Sequence, residues 1–310
     1  MARMHTHLST GLPGLDRVFR GLMAGDNIVW QVDSIEDYLL FVTPYIEHAK
    51  QNKQKMIYFR FAEHAPLVPE DSEVDVRVLH PEEGFQPFLN KVHNTIDEAG
   101  RGSFYLFDCL SELAPDWCSD RMLGNFFSLT CPYLYDNAAI AFFSILRNRH
   151  SFHATRPIAS TTQIFVDAYR HNDSVYIHPI KVQHRHSATM HMLHAWEGDD
   201  FLPLTESCVI TEVLKDVHWS NQDSASFLMG YWSKTFVEAE TIQSDMDRGR
   251  DRKKDADRYF GKLVRMLVSH DERVLQLAEE YLTLKDLLDI RKRMIGTGLI
   301  GGKAVGMLLA

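Results

Sequence analysis

Short apolar runs alternate with longer amphipathic segments through the first two thirds of the chain. A run of about four to eight apolar residues bounded by turn residues is typical of a buried strand, whereas apolar residues three and four positions apart are typical of a helix. The pattern predicts strands over residues 28–32, 55–61, 74–79, 103–108 and 138–146. Between them it predicts helices over residues 35–51, 84–99 and 122–136.

Strands that alternate with helices favour an α/β fold with a mainly parallel sheet, right-handed crossovers and flanking helices. The pattern then changes. Residues 161–170 fit a short helix or a strand, and residues 174–180 fit a strand. Residues 181–186 and 189–196 predict a hairpin, so we expect antiparallel strands to complete the sheet near Leu204.

From about Thr211 the chain becomes helical and charged. Apolar periodicity predicts helices over residues 260–268 and 274–288, and the mixed-charge run over residues 245–255 is interpreted as a solvated helix face or a linker. An aromatic-rich stretch is interpreted as packing against the α/β domain rather than as a cofactor site. It contains Trp219, Phe227, Met229, Tyr231, Trp232 and Phe236.

Composition narrows the function classes. The 310 residues are 45% hydrophobic and carry a net charge of −9, which argues against a broad nucleic-acid-binding surface. No apolar run approaches the roughly 20 residues that a membrane helix needs, and the first residues lack the apolar region of a signal peptide. The expected location is the cytoplasm, with reduced thiols, because the cysteines fit neither a disulfide framework nor a C-x-x-C metal site. These are Cys109, Cys118, Cys131 and Cys208.

Residues 25–39 have the layout of a nucleotide-binding site without the residues that bind a nucleotide. A turn at Gly25 leads into a strand, and a short loop then opens a helix. When the phosphate-binding pattern G-x-x-x-x-G-K-[ST] is aligned on this strand, its defining residues are missing. Val32 and Asp37 stand where the glycines belong, Tyr38 replaces the lysine and Leu39 replaces the hydroxyl residue.

The loop is also acidic. Asp33, Glu36 and Asp37 would repel a triphosphate, which needs glycine backbone around it and a lysine charge. Carboxylates are favourable at a helix N-terminus by about 0.3–1 kcal/mol each. We therefore interpret the loop as capping its own helix, with residual nucleotide binding as the less favoured alternative.

The order of several segments resembles the RecA/KaiC-like ATPases. The resemblance rests on Ser9-Thr10-Gly11-Leu12-Pro13-Gly14-Leu15-Asp16, on the Gly25 turn, and on the strands that end at Glu63 and Asp108. Lys181, the hairpin and Gly198 resemble the end of that core, so residues 5–205 are covered. The resemblance implies that Asp108 occupies the magnesium-coordinating (Walker B) position and that Glu63 lies near the carboxylate that activates water. The simpler alternative, that both carboxylates cap loops, is favoured.

A second resemblance lies at the far end of the sequence. Residues 295–307, which include Gly301, Gly302 and Lys303, are similar to the opening of the nucleotide-binding domain of pyruvate phosphate dikinases and phosphoenolpyruvate synthases. In that family a Gly-Gly-Lys segment begins an ATP-grasp-type fold, and its lysine helps to bind ATP phosphates. The alternative is a glycine-rich turn into a helix. The apolar run over residues 307–310 favours the expectation that the chain is the N-terminal part of a longer polypeptide.

Together the resemblances imply three parts. Residues 1–205 would form a RecA/KaiC-like domain with a degenerate P-loop, residues 206–293 a helical connector, and residues 294–310 the start of a truncated ATP-grasp-type domain. The leading hypothesis is a pseudo-ATPase that regulates or assembles a phosphoenolpyruvate synthase-like phosphotransferase. Its partners would be the downstream phosphotransferase domains and further copies of the chain. ATP and magnesium would be cofactors of the full-length protein rather than of this part.

Two alternatives from other classes stay open. One is an active KaiC-like ATPase with an unusual phosphate loop, and the other is a signalling or scaffold module. Residues 147–150 follow a core strand and predict a basic rim for a ligand or a neighbouring subunit. A zinc site is disfavoured because two histidines on one strand face lack further ligands at defined geometry. The histidines considered are His150, His153, His184, His186, His191 and His194.

Overall fold

The computed structural model describes residues 8–69, 72–117, 119–216 and 229–309. Their strands are β1 (Asn27–Val32), β2 (Met56–Arg60), β3 (Asp75–Val78), β4 (Phe104–Cys109), β5 (Ile140–Leu146), β6 (Ile164–His171), β7 (Ser174–Val182), β8 (His194–Glu197) and β9 (Asp200–Pro203). They form one sheet in the order β3-β2-β4-β5-β1-β6-β7-β8-β9. Pairings from β3 to β6 are parallel, and those from β6 to β9 are antiparallel. The expected mainly parallel α/β sheet with antiparallel strands at one end is confirmed.

Helices connect the strands and then follow the sheet. In the α/β part they are α1 (Pro13–Phe19), α2 (Ile35–Gln51), α3 (Phe85–Ala99), α4 (Leu113–Asp116), α5 (Asp120–Asp136) and α6 (Phe152–Thr161). After the sheet come α7 (Ser207–Asp216), α8 (Tyr231–Asp247), α9 (Lys253–Leu267), α10 (Glu272–Tyr281), α11 (Leu284–Arg293) and α12 (Gly302–Leu309).

The sheet is buried between two apolar layers. On one face α2 packs against the central strands, with Trp30 stacked on Phe41 at 3.9 Å and Tyr45 stacked on Phe142 at 3.9 Å. On the other face α3, α5 and α6 cover a second apolar cluster that contains Phe107. Neighbouring residues of a strand point to opposite faces, so a strand covered on both sides is apolar throughout. This is why the central strands were recognisable as continuous apolar runs.

The segment that begins the RecA/KaiC resemblance forms a clasp at the start of the fold. The Asp16 carboxylate accepts hydrogen bonds from the Ser9 hydroxyl and from the Thr10 amide, the latter at 2.9 Å. Gly11 has φ +83°, and a Cβ there would lie 2.1 Å from the Pro44 carbonyl oxygen of α2. The glycine and the carboxylate therefore fix α1 to α2, which gives this motif a structural reason of its own.

The later helices build a third apolar cluster. Trp232 and Phe236 of α8, Leu263 and Leu267 of α9, and residues of α11 pack together there. Ala114 of α4 belongs to the same cluster, so the helices rest on the carboxyl-terminal edge of the sheet. Within the described residues, the α/β part and the later helices therefore pack directly against each other.

The predicted hairpin over residues 181–186 and 189–196 is wrong. Residues 183–193 form turns, and the hairpin is made by β8 and β9 instead. His184 has φ +62°, a turn conformation that ends the β7 strand. The argument that placed His184 and His186 on one strand face therefore fails with the hairpin.

The sequence pattern also predicted one helix where the structure has two, α10 and α11, and it missed helix α6. The predicted helix over residues 274–288 is interrupted between α10 and α11, where Thr283 and Asp286 form a capping box that starts α11. The mixed-charge run over residues 245–255 spans the end of α8, a turn and the start of α9. Helix α6 was missed because Pro157 lies inside it and weakened the helical pattern.

Some expectations concern residues outside the described ranges, namely those for the start of the chain at residues 1–5 and for Cys118, Trp219 and Phe227. Among the described cysteines, Cys109, Cys131 and Cys208 are free thiols. Burial raises the pKa of Cys109 to about 12, with Glu112 contributing in the same direction. Among the described helices, none has both the length and the apolar character that crossing a membrane requires.

Candidate functional site

The carboxyl-terminal edge of the parallel strands is where ligands bind in open α/β sheets. Here β1 ends at Val32 and α2 begins at Ile35, so their connection consists of Asp33 and Ser34 alone. A phosphate-binding loop needs several residues between strand and helix to curve its backbone N–H groups around the anion. A connection of two residues is too short to do so.

The start of α2 is capped by its own residues. Ser34 is the N-cap, and its hydroxyl oxygen accepts a hydrogen bond from the Asp37 amide at 3.2 Å. The Asp37 carboxylate accepts from the Ser34 hydroxyl at 2.9 Å and from Arg170 Nε at 2.7 Å. The loop thus caps the N-terminus of α2, as the sequence predicted. The capping group is the Ser34 hydroxyl rather than a carboxylate.

Arg147 lies across the end of β1. Its side chain is 5% exposed, and its guanidinium donates to the carboxylates of Asp33 at 2.9 Å and Asp167 at 3.0 Å and to the Ala168 carbonyl at 2.6 Å. The guanidinium also lies 4.3 Å from the centre of the Tyr169 ring. Burial alone would lower the pKa of Arg147, but Asp167 and Asp33 raise it. The positive charge at the end of β1 thus comes from Arg147, whose hydrogen bonds hold its guanidinium in place.

Asp108 is fully buried and its carboxylate is saturated with donors. One oxygen accepts from the Tyr58 hydroxyl. The other accepts from Arg60 Nη1 at 2.7 Å and from the amides of Phe61 and Ala62 at 2.8 Å each. Arg60 therefore holds the charge-balancing position that the resemblance would give to magnesium. The simpler alternative, a carboxylate that caps the loop after β2, fits these contacts.

Glu63 points away from this buried group. Its side chain is 74% exposed, and it pairs with Arg265 of α9. Glu63 thus bridges the loop after β2 to the helices that follow the sheet, while Asp108 lies in the sheet interior. The two carboxylates that the resemblance placed in one catalytic site have separate partners.

Nucleotide and magnesium do not fit this edge of the sheet. The strand-to-helix connection is too short, Arg147 and its carboxylates fill the end of β1, and Arg60 occupies the metal-facing side of Asp108. A magnesium ion would have to displace the partly buried Arg60 from the buried carboxylate of Asp108. Loss of nucleotide binding at this edge stays a prediction.

The basic rim predicted over residues 147–150 bonds to helix α8 of the same chain. Lys234 of α8 donates to the carbonyl oxygens of Asn148 at 3.0 Å and His150 at 3.1 Å, and Arg149 pairs with Glu238 at 3.2 Å. His150 is buried against Tyr231, and burial lowers its pKa to about 4. This rim joins the sheet to α8 within one chain.

A cavity of about 370 Å³ lies where the ends of β2 and β3 meet α9 and α10. Arg60, Glu63, His80, Asp116, Arg265 and His270 contribute to its lining, with further acidic side chains around them. A concave, polar space between two packed parts of a chain is a common location for a small ligand. Sequence reasoning missed it because its walls come from segments about 200 residues apart that carry no common motif.

Asp116 makes this cavity sensitive to pH. Burial raises its pKa to about 6, and Glu82 and Glu112 add to the effect. An acid whose folded pKa exceeds its unfolded value stabilises the fold below the unfolded pKa and loses that contribution as the pH rises through the folded value. Asp116→Asn should therefore raise the free energy of unfolding by about 1–2 kcal/mol at pH 8, measured by urea denaturation.

At about pH 5 the gain should be only about half as large, because Asp116 is then largely protonated in the folded protein but still ionised in the unfolded chain. Glu63→Gln is the matched control, since it removes an exposed carboxylate from the wall of the same cavity. An Asp116→Asn gain of equal size at both pH values would contradict the assignment of a charge penalty to Asp116.

The remaining site residues predicted from the sequence lie outside this cavity and away from the end of β1. Gly302 and Lys303 begin α12, and Lys303 is exposed in its first turn. His191 and His194 bond to backbone carbonyl oxygens, of Pro179 and Met192 respectively, at 2.8 Å each. In the described part of the chain, no group of three or more His, Cys, Asp or Glu side chains is arranged to hold a metal ion.

Comparisons with known proteins add no family. No protein-family model matches the sequence, and a search of curated proteins finds no match to it.

Proposed function

We propose that the chain is a degenerate RecA/KaiC-like module that has lost nucleotide binding and serves a regulatory or assembly role. In this proposal it forms the N-terminal part of a phosphotransferase that resembles phosphoenolpyruvate synthase and pyruvate phosphate dikinase. ATP and magnesium act in later domains of the full-length protein. The α/β part and the helices after it would then regulate or assemble the phosphotransferase rather than catalyse a reaction.

The observation that carries the proposal is the occupied end of β1. The two-residue connection and the Arg147 pairs with Asp33 and Asp167 stand where a nucleotide-binding relative would hold phosphate. An active site retained for hydrolysis would leave space and unsatisfied donors for the phosphates. Here the donors are engaged by the protein itself, which favours a pseudo-ATPase over the active ATPase alternative.

The end of the described chain supports the second half of the proposal. A Cβ atom added at Gly301 or Gly302 would meet nothing within 4 Å, so the chain's own packing does not require glycine at either position. Glycines of this kind are useful where a ligand approaches the backbone closely. Together with the exposed Lys303, they support a role for this segment in binding phosphate once an ATP-grasp-type domain is completed around it.

The experiment that tests this proposal is a reading of the coding frame beyond residue 310, followed by a phosphoryl-transfer assay of the encoded full-length protein. We expect a domain of ATP-grasp length, then a phosphorylatable histidine, and ATP-dependent phosphorylation of that histidine. A frame that ends without such a domain would overturn the phosphotransferase assignment and leave the scaffold alternative.

A further inference from the structure

Strand β3 (Asp75–Val78) forms one end of the nine-stranded sheet. In the part of the chain that the structure describes, β2 is its one strand neighbour. The side chains of Val76 and Val78 are exposed, at 46% and 62% of their surface. Proteins commonly protect such an edge with proline, lysine or a bulge, because it offers unpaired backbone groups to another strand. Residues 74–79 contain no proline or lysine.

The backbone of β3 has a defined free side. Val78 lies opposite Arg60 in the parallel pairing, and the Leu79 amide donates to the Arg60 carbonyl at 2.8 Å. Backbone groups of successive strand residues point to alternate sides, so Arg77 and Leu79 face β2. The N–H and C=O groups of Val76 and Val78 therefore face the open edge, as do those of Val74.

The side chains along this edge are symmetric about Val76. Val74, Val76 and Val78 share one face of the strand, and Asp75 and Arg77 share the other. Within the chain, Arg77 donates to the Asp75 carboxylate through Nε and Nη2 at 2.9 Å each. Reversal of the strand direction about Val76 leaves the valine row unchanged and exchanges the positions of the acid and the base.

We propose that two copies of this chain associate through antiparallel pairing of their β3 strands, with the two-fold axis at Val76. Val76 then pairs with Val76 of the second copy, and Val74 with Val78, so that the edge-facing backbone groups of both strands meet. On the opposite face, Asp75 of each copy lies directly across from Arg77 of the other. The sheet becomes continuous through the pair of molecules.

Charge selects this register. With the axis moved to Asp75, edge-facing residues still meet and Arg77 lies across from Glu73, but two aspartates lie directly opposite one another at the axis. With the axis moved to Arg77, two arginines do. Opposite charges across a strand pair are stabilising and like charges destabilising, so the register at Val76 is favoured. A pattern that complements itself under a two-fold rotation fits a second copy of the chain, since a different partner strand would need no such symmetry.

The surroundings of the edge leave room for this contact. A depression of about 350 Å³ lies beside β3 and is lined by Val76, Arg77 and Val78 together with Asn94 and Glu98 of α3. The strand is short, so the paired surface is small compared with that of a permanent dimer. We therefore expect a reversible dimer with a dissociation constant in the micromolar range.

Charge exchange tests the register directly. Asp75→Arg places arginine at both charged positions, and Arg77→Asp places aspartate at both. Each substitution acts twice in a symmetric pair, so each variant alone should dissociate at least about tenfold more readily than the native chain. Sedimentation velocity over a range of concentrations measures this, and circular dichroism checks that each variant is folded.

Two further samples decide the register: a mixture of the two single variants, and the double variant. Asp75→Arg mixed with Arg77→Asp should form a heterodimer, because every facing pair is then opposite in charge. The double variant Asp75→Arg/Arg77→Asp should dimerise like the native chain. A native chain that stays monomeric at high micromolar concentration would overturn the proposal. So would single variants that dimerise normally, or single variants that stay monomeric when mixed. None of these samples contains a nucleotide, so their outcome is independent of the proposed pseudo-ATPase role.

Discussion

Asp108→Asn should destabilise the fold by about 3 kcal/mol or more, because it removes the buried charge with which the partly buried Arg60 pairs. The substitution keeps the size of the side chain, so a cavity does not contribute. It leaves Arg60 without its carboxylate and turns an amide group towards the Phe61 and Ala62 N–H donors that bond Asp108 at 2.8 Å. Equilibrium unfolding in guanidinium chloride, read as a change in free energy, measures the loss.

This outcome separates a structural carboxylate from a catalytic one. Residues kept for binding metal or substrate are often unfavourable for stability, so their neutralisation commonly leaves stability unchanged or improved. Glu63→Gln is the control, since Glu63 is 74% exposed and paired with a half-exposed Arg265. Its effect should stay within about 1 kcal/mol. An Asp108→Asn variant as stable as the native chain would contradict the structural role of the Asp108 cluster.

Arg147→Met should cost about 3–5 kcal/mol of stability near pH 8, because it leaves Asp167 buried without its positive partner. Asp167 is surrounded by protein, and burial already raises its pKa while Arg147 lowers it. Without Arg147 the folded pKa rises further. The cost then appears as the pH rises through that value, so the deficit should shrink between about pH 8 and about pH 5.

Urea denaturation of the native chain and of Arg147→Met at several pH values measures both the size and the slope. Arg17→Met is the matched control, because Arg17 pairs with Asp200 on the surface, where the two side chains are 60% and 53% exposed. An exposed pair contributes about 0–1 kcal/mol, with little pH dependence in this range. A deficit for Arg147→Met that is no larger than that of the control would contradict the buried-pair interpretation.

The sheet was predictable where burial made strands continuously apolar. The strand from Phe104 to Cys109 was found within one residue at each end, since its side chains are covered on both faces. The hairpin was misplaced because residues 183–193 contain polar residues that alternate like a strand but form turns. Helix α6 was missed because the local penalty of Pro157 hides a helix that is held by packing against α5.

The candidate site was less predictable than the fold. The sequence pointed to the acidic loop from Asp33 to Asp37, but it gave no signal that Arg147, more than 100 residues later, pairs with Asp33. Similarly, Asp108 was found from its place at a strand end, whereas Arg60 was an ordinary residue of β2, the strand that neighbours β4 in the sheet. Such partners are set by which strands become neighbours, and strand order is a property of the folded chain.

Our central proposal is that arginines of the chain itself occupy the carboxyl edge of this sheet, where nucleotide-binding α/β proteins hold nucleotide and magnesium. The most direct test is isothermal titration of the chain with ATP and magnesium up to millimolar concentration. We predict heats that do not differ from dilution, because the end of β1 is filled by Arg147 with its carboxylates and Asp108 is held by Arg60. Saturable binding of ATP by the native chain would contradict the account.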